Sequence, residues 1–257
     1  EAARALVQAE WPVLIVEGMA THPGGVEALE SLARLLSIPV ITVGTTFSLS
    51  NVHPLNVTGA NDEVLKRADV VVAVGASLNR YTTHEGLLYP EAKFIHIDPK
   101  AHVMLSRGKG ADHYVQSDGK AGVAALNAEL TKRNFKQMGR RTGEVKEKLA
   151  NAWEDRADYK IEEGTLDPRP LCLALDDLVP TDINLFVGSG HTSGFTNILF
   201  RKSRPIVMPG HFFGCIGQMM PAAVGAVIGS GRKPAILMDG DASTMMHIGD
   251  FDTMVRY

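Results

Sequence analysis

The sequence contains 257 residues, of which 45% are hydrophobic and 21% are charged, a balance typical of a globular protein with one large or two ordinary domains. The net charge of −3 indicates neither nucleic acid nor acidic membranes as partners. The sequence has no secretory signal and no apolar run of about 18 residues, so no membrane span is predicted, and two cysteines without metal-type spacing favour a cytoplasmic setting.

Strands and helices alternate over the first 130 residues. Apolar runs predict strands at 12–16, 39–43, 69–75 and 93–98. Helical spacing predicts helices at the opening residues, at 26–36, around Val64 and Leu65, and at 119–130. Continuous Val and Ile runs between helices indicate a parallel sheet that is covered on both faces.

The character of the sequence changes after residue 131 and changes back near residue 165. The segment 132–165 is first basic and then charged and helix-prone, which predicts an interdomain linker between domains at 1–131 and 166–257. In the second domain, the pattern predicts helices at 171–178 and 220–228 and strands at 184–187, 205–208 and 235–238.

Three glycine-containing loops follow the strands of the second domain, at 188–191, 210–217 and 240–243. In a parallel sheet such loops meet at the carboxyl edge, where α/β proteins bind ligands. The last loop precedes Met245, Ile248 and Phe251, whose spacing predicts a helix. A strand, a tight turn and a helix N-terminus in succession can bind an anion, because free backbone N–H groups and the positive end of the helix dipole face it. Asp241 adds an oxygen ligand suited to Mg²⁺, so the sequence predicts a metal–diphosphate site.

Residues 214–226, 238–243 and 251–257 resemble thiamine-diphosphate-dependent enzymes of the acetolactate synthase, benzoylformate decarboxylase and pyruvate decarboxylase superfamily. Residues 1–130 resemble the central domain of that superfamily, and residues 165–257 resemble the first half of its diphosphate-binding domain. The resemblance implies two three-layer α/β/α domains with mainly parallel sheets, the first Rossmann-like and the second a truncated cofactor domain.

The resemblance also implies cofactor contacts. Asp241 matches the Mg²⁺ ligand of the family, and Ile216 matches the bulky apolar residue that supports the bent cofactor. Gly214 falls near the aminopyrimidine. The resemblance assigns Gly190, His191 and Gly240 to the diphosphate and its turns. It implies that Ala242 and Ser243 present their backbone N–H groups to the diphosphate.

Ala242 replaces a glycine of the family motif, so that position must not need a left-handed backbone. The local alternatives are that Asp241 is only a helix N-cap and that His191 is structural. FAD remains open as a ligand of the central domain, although a plain strand-end turn is favoured at Asp98 and Pro99.

The implied activity is that of a thiamine-diphosphate- and Mg²⁺-dependent decarboxylase or carboligase, a lyase or transferase that acts on a 2-oxo acid or related carbonyl through an enamine. A homodimer or homotetramer is expected. The chain does not begin with Met and ends 16 residues after Asp241, so we expect that it is a piece of a longer protein and is inactive alone. The resemblance implies that the catalytic Glu belongs to an amino-terminal domain outside this sequence. The alternatives are an NAD-dependent oxidoreductase with two Rossmann-type units, although residues 18–25 lack its glycine fingerprint, and a degenerate non-catalytic module.

Overall fold

The computed structural model describes residues 1–43, 48–50, 53–58, 65–101, 110–135, 160–200, 202, 204, 206–207 and 214–257. These residues belong to two compact units, one within 1–135 and the other within 160–257. Both units contain a parallel sheet with helices, so the expected α/β class is confirmed. Most of the predicted linker, residues 136–159, lies outside the described residues.

The first unit is built on a five-stranded parallel sheet in the order β2-β1-β3-β4-β5. Its strands are β1 (Pro12–Val16), β2 (Val40–Thr42), β3 (Val70–Val74), β4 (Lys93–Asp98) and β5 (His113–Gln116). The strand order reverses between β1 and β3, which is the usual position of a ligand crevice in such sheets. The sequence missed β5, because this edge strand is largely exposed and has no apolar run.

Helices pack against the sheet, and two separate apolar clusters form the core. The helical elements are α1 (Ala2–Gln8), a 3₁₀ turn (Met19–Thr21), α2 (Gly25–Leu36), α3 (Arg80–Thr83) and α4 (Gly119–Lys132). Side chains of a strand alternate between faces. Accordingly, Leu14 and Val16 pack in the cluster with α1, α2 and α4, whereas Val13 and Ile15 pack in the other. The sequence missed α3, and Val64 of the predicted short helix lies outside the described residues.

The second unit contains a three-stranded parallel sheet in the order β7-β6-β8. Its strands are β6 (Asn184–Val187), β7 (Ile206–Val207) and β8 (Ala235–Met238), and its helices are α5 (Pro168–Leu178), α6 (His191–Leu199), α7 (Met219–Gly229), α8 (Asp241–Met246) and α9 (Asp250–Arg256). Leu185 and Val187 pack in a cluster with Phe200, while Phe186 packs with Met219 and Ala223. Sheet packing thus fixes β6 on both faces.

The C-terminal apolar pattern does not form the continuous helix that its spacing predicted. The chain leaves α8 at His247 and re-enters a helix only after Gly249, a residue type with low helix propensity. Met245, Ile248 and Phe251 are 62%, 56% and 49% exposed. The prediction was therefore wrong here, since two short helices replace one and their apolar side chains are not buried.

A buried ion pair ties α5 to the segment that leads to β7. The Arg204 guanidinium, 0% exposed, donates from Nη2 to Oδ1 of Asp176 at 2.5 Å and to its backbone oxygen at 2.9 Å. Nη1 donates to the Val179 oxygen at 3.1 Å, and Asp176 Oδ2 accepts the Lys202 N–H at 3.1 Å. The ion pair therefore holds the C-terminus of α5.

Across the described part of the chain, no helix combines the length and apolarity needed to cross a membrane.

Candidate functional site

The turns that follow β6 and β8 lie side by side. The two strands are parallel neighbours in which Val187 pairs with Met238, and the Gly188 N–H donates to the Met238 oxygen at 2.7 Å. Because parallel strands end at the same edge, this register brings the segments 188–191 and 239–243 together. A strand-end site of the kind predicted from sequence therefore has two adjacent walls.

The first wall ends at the N-terminus of α6. Gly190 is the N-cap residue with φ +77° and ψ −142°, a conformation that strongly favours glycine, and no described side chain caps it. The first N–H groups of a helix have no intrahelical partner, so they remain available to an anion. His191 begins the helix with an exposed side chain whose ring centroid lies 6.4 Å from that of Phe195.

The second wall ends at the N-terminus of α8. Gly240 is the N-cap residue, again with no cap from a described side chain, and Asp241 is the first residue inside the helix. The alternative that Asp241 is itself the N-cap is therefore wrong. Ala242 lies within the same right-handed helix, so the position does not need the left-handed backbone that only glycine adopts readily.

The third wall is the segment 214–218, which precedes α7. The Ser189 hydroxyl donates to the Cys215 oxygen at 3.0 Å, and the Gly217 N–H donates to the Ser243 hydroxyl at 2.7 Å. These two hydrogen bonds connect the segment to both strand-end turns. Ile216 is 44% exposed on this segment, and residues 210–213 of the predicted loop lie outside the described residues.

Asp239 is a functional candidate that the sequence reasoning missed. Its Oδ1 accepts the Gly240 N–H at 2.9 Å, and its Oδ2 accepts the Ser243 hydroxyl at 2.6 Å. The sequence assigned only the backbone N–H of Ser243, whereas the side chain of this residue is also engaged. An acidic residue at the end of β8, four positions before a serine, is the signal that could have found this contact.

The three segments contain all eight residues assigned to the cofactor, although their roles stay predictions. A divalent cation needs hard oxygen donors, and the exposed Asp241 carboxylate has that chemistry. The described residues contain no group of three or more His, Cys, Asp or Glu side chains that could hold a metal. A Mg²⁺ ion held by Asp241 would need further oxygen donors, and the oxygens of a diphosphate are of that kind. The uncapped helix N-termini and the open space around Gly190 and Gly240 fit such an anion.

Two family models match this chain. One is described as "Thiamine pyrophosphate enzyme, central domain" and covers residues 1–126. The other is described as "Thiamine pyrophosphate enzyme, C-terminal TPP binding domain" and covers residues 188–257. The second match contains the three segments of the candidate site.

Curated relatives align along nearly the whole chain. A sulfoacetaldehyde acetyltransferase of Castellaniella defragrans is 26% identical, and the match covers 100% of this chain and 48% of the relative. An acetolactate synthase large subunit of Parasynechococcus marenigrum is 27% identical, with 97% and 41% covered. A 2-hydroxyacyl-CoA lyase 2 of Caenorhabditis elegans is 25% identical, with 97% and 40% covered. The chain thus spans less than half the length of these relatives.

Proposed function

This chain belongs to the thiamine-diphosphate-dependent enzyme superfamily, and on that premise we propose that its second unit binds thiamine diphosphate and Mg²⁺. The observation that carries the proposal is the pairing of Val187 with Met238, which puts two uncapped helix N-termini at one sheet edge. Partial positive charge at both termini would stabilise the diphosphate. Asp241, exposed at one of them, would hold the metal.

The third wall, the segment 214–218, would contact the organic part of the cofactor. Ile216 presents an apolar side chain that is 44% exposed, and Gly214 beside it has no described atom within 4 Å of the position of a Cβ. An apolar residue next to open backbone suits a flat heteroaromatic ring. Gly190 and His191 would contact the diphosphate from the turn after β6.

We further propose that the whole protein is a lyase or transferase that acts on a 2-oxo acid or a related carbonyl compound, as a decarboxylase or carboligase. Thiamine diphosphate supplies a carbanion-stabilising centre for breaking a bond next to a carbonyl carbon. The part of the described residues is to bind the cofactor, orient it and hold its metal. Similarity to an acetolactate synthase and a sulfoacetaldehyde acetyltransferase supports this reaction class.

Calorimetric titration of the full-length protein with thiamine diphosphate and Mg²⁺ tests the cofactor proposal. Asp241→Asn should weaken binding by about ten-fold or more, a change that corresponds to about 1.4 kcal/mol. Asp252→Asn is the matched control, because Asp252 is an exposed acid on α9 that pairs with Arg256. Absence of binding, or equal binding by the Asp241 variant, would refute the proposal.

The same preparation tests two related proposals. A homodimer or homotetramer is expected, because the resemblance implies a site shared between subunits, and light scattering during size-exclusion chromatography measures the mass in solution. Turnover of 2-oxo acids, followed as release of carbon dioxide, tests the reaction class. A monomer or a protein that consumes no carbonyl substrate would contradict the respective proposal.

A further inference from the structure

The two acidic residues that follow β8, Asp239 and Asp241, have different surroundings. Asp241 is exposed, whereas Asp239 is only partly exposed and uses both carboxylate oxygens as acceptors, for the Gly240 N–H and the Ser243 hydroxyl. Gly188 of the neighbouring turn lies directly against the carboxylate, since a Cβ there would fall 1.8 Å from Oδ1. Asp239 is therefore oriented toward the protein.

Ser243 connects Asp239 to the segment 214–218 through two hydrogen bonds. Its side chain is buried, with the residue 4% exposed, and the hydroxyl donates its proton to Asp239 Oδ2 at 2.6 Å. A hydroxyl–carboxylate bond of this length is a strong, charge-assisted one. With its proton fixed toward Asp239, the same oxygen accepts the Gly217 N–H at 2.7 Å, across 26 residues of sequence.

The segment that Ser243 holds is restrained at both ends. Gly217 is buried with φ +88°, and a Cβ there would lie 2.8 Å from Cδ2 of His247. At its other end the segment is held by Ser189, whose hydroxyl donates to the Cys215 oxygen at 3.0 Å. Between the two anchors lies Ile216, the residue that would support the cofactor.

We propose that Asp239 is a positioning residue that acts through Ser243 to hold the segment 214–218 in the conformation that receives thiamine diphosphate. This proposal deepens the proposed function and rests on it. The role requires a carboxylate side chain, because Oδ1 and Oδ2 each accept a hydrogen bond. An asparagine would present an NH₂ group at one oxygen position and leave either Gly240 or Ser243 without its acceptor.

Amide hydrogen exchange of the peptide that contains residues 214–218 tests the link without any cofactor. Asp239→Asn and Ser243→Ala should each speed exchange of the Gly217 amide by about two- to ten-fold, as expected for one hydrogen bond. The double variant should be no faster than the faster single variant, because the two residues act in one chain of contacts. Asp177→Asn, an exposed acid on α5, is the matched control and should exchange like the parent protein.

Calorimetric titration of the same proteins then measures the consequence for the cofactor. Asp239→Asn and Ser243→Ala should bind thiamine diphosphate more weakly than the parent. For each variant, the fold loss of affinity should equal the fold increase in the exchange rate of the Gly217 amide. Asp177→Asn should bind like the parent. Unchanged exchange, additive effects in the double variant, or faster exchange with unchanged affinity would each overturn the proposal. A parent protein that binds no cofactor would refute the proposed function, whereas the exchange result would still decide whether Asp239 holds the segment.

Discussion

A Cβ atom on Gly188 would lie 1.8 Å from Oδ1 of Asp239, so the turn after β6 and the carboxylate at the end of β8 leave space only for a hydrogen. Gly188→Ala should therefore displace Asp239 and lower the free energy of unfolding by about 1–3 kcal/mol, the usual cost of overpacking. Urea denaturation followed by circular dichroism measures this loss.

Gly194 provides the matched control for this substitution. It lies within α6, where no described atom outside the helix's own backbone lies within 4 Å of a Cβ. Gly194→Ala should stabilise the protein by about 0.5–1 kcal/mol, because alanine is the better helix former. Equal effects of the two substitutions would contradict the close approach of Gly188 and Asp239.

Gly190 and Gly240 form a second matched pair. Both are N-cap residues with no described atom near a Cβ, but φ is +77° at Gly190 and −77° at Gly240. Without cofactor, Gly190→Ala should cost about 1–3 kcal/mol of backbone strain. Gly240→Ala should change stability by less than about 1 kcal/mol, because its φ suits alanine and the gain from restricting the unfolded chain is opposed by the poorer N-cap. Thermal unfolding of the cofactor-free protein compares them, and a stable Gly190 variant would argue against the left-handed turn.

The sequence predicted the elements and turns that depend on neighbouring residues. It did not predict contacts between residues that are distant in the sequence. Buried strands such as β3 are runs of Val and Ala, and their apolar pattern alone identified them. Edge strand β5 has no such pattern because its side chains meet solvent. Gly240 and Asp241 are adjacent in the sequence, so the sequence alone shows that both lie just after β8. The contact of Ser243 with Gly217 was not, because it joins residues 26 positions apart whose meeting depends on the order of the sheet.

Loss of one partner of the buried pair of Asp176 and Arg204 should destabilise the second unit strongly. Asp176→Asn leaves a fully buried guanidinium without its counter-charge, which should cost about 3–5 kcal/mol. Replacing both residues by apolar ones of similar volume should cost less than that single change, because no uncompensated charge stays buried.

Asp177→Asn is the control for this experiment as well. Asp177 is 81% exposed and lies 3.3 Å from the Lys202 ammonium, so its loss should cost no more than about 1 kcal/mol. Urea denaturation of the three variants and the parent gives the comparison. A small loss for Asp176→Asn would mean that water reaches Arg204 in solution.

The two cysteines should differ sharply in reactivity. Burial raises the pKa of the Cys172 thiol above its ordinary value, so Cys172 stays protonated and unreactive near pH 8, whereas Cys215 is exposed on the segment 214–218. Iodoacetamide should label only Cys215 in the native protein and both thiols after denaturation, as peptide mass spectrometry can show. Cys215→Ser should abolish the native label, and rapid labelling of Cys172 would contradict its burial. Thiamine diphosphate with Mg²⁺ should slow the alkylation of Cys215, because the cofactor would cover that segment, and the Asp241→Asn protein should lose this protection.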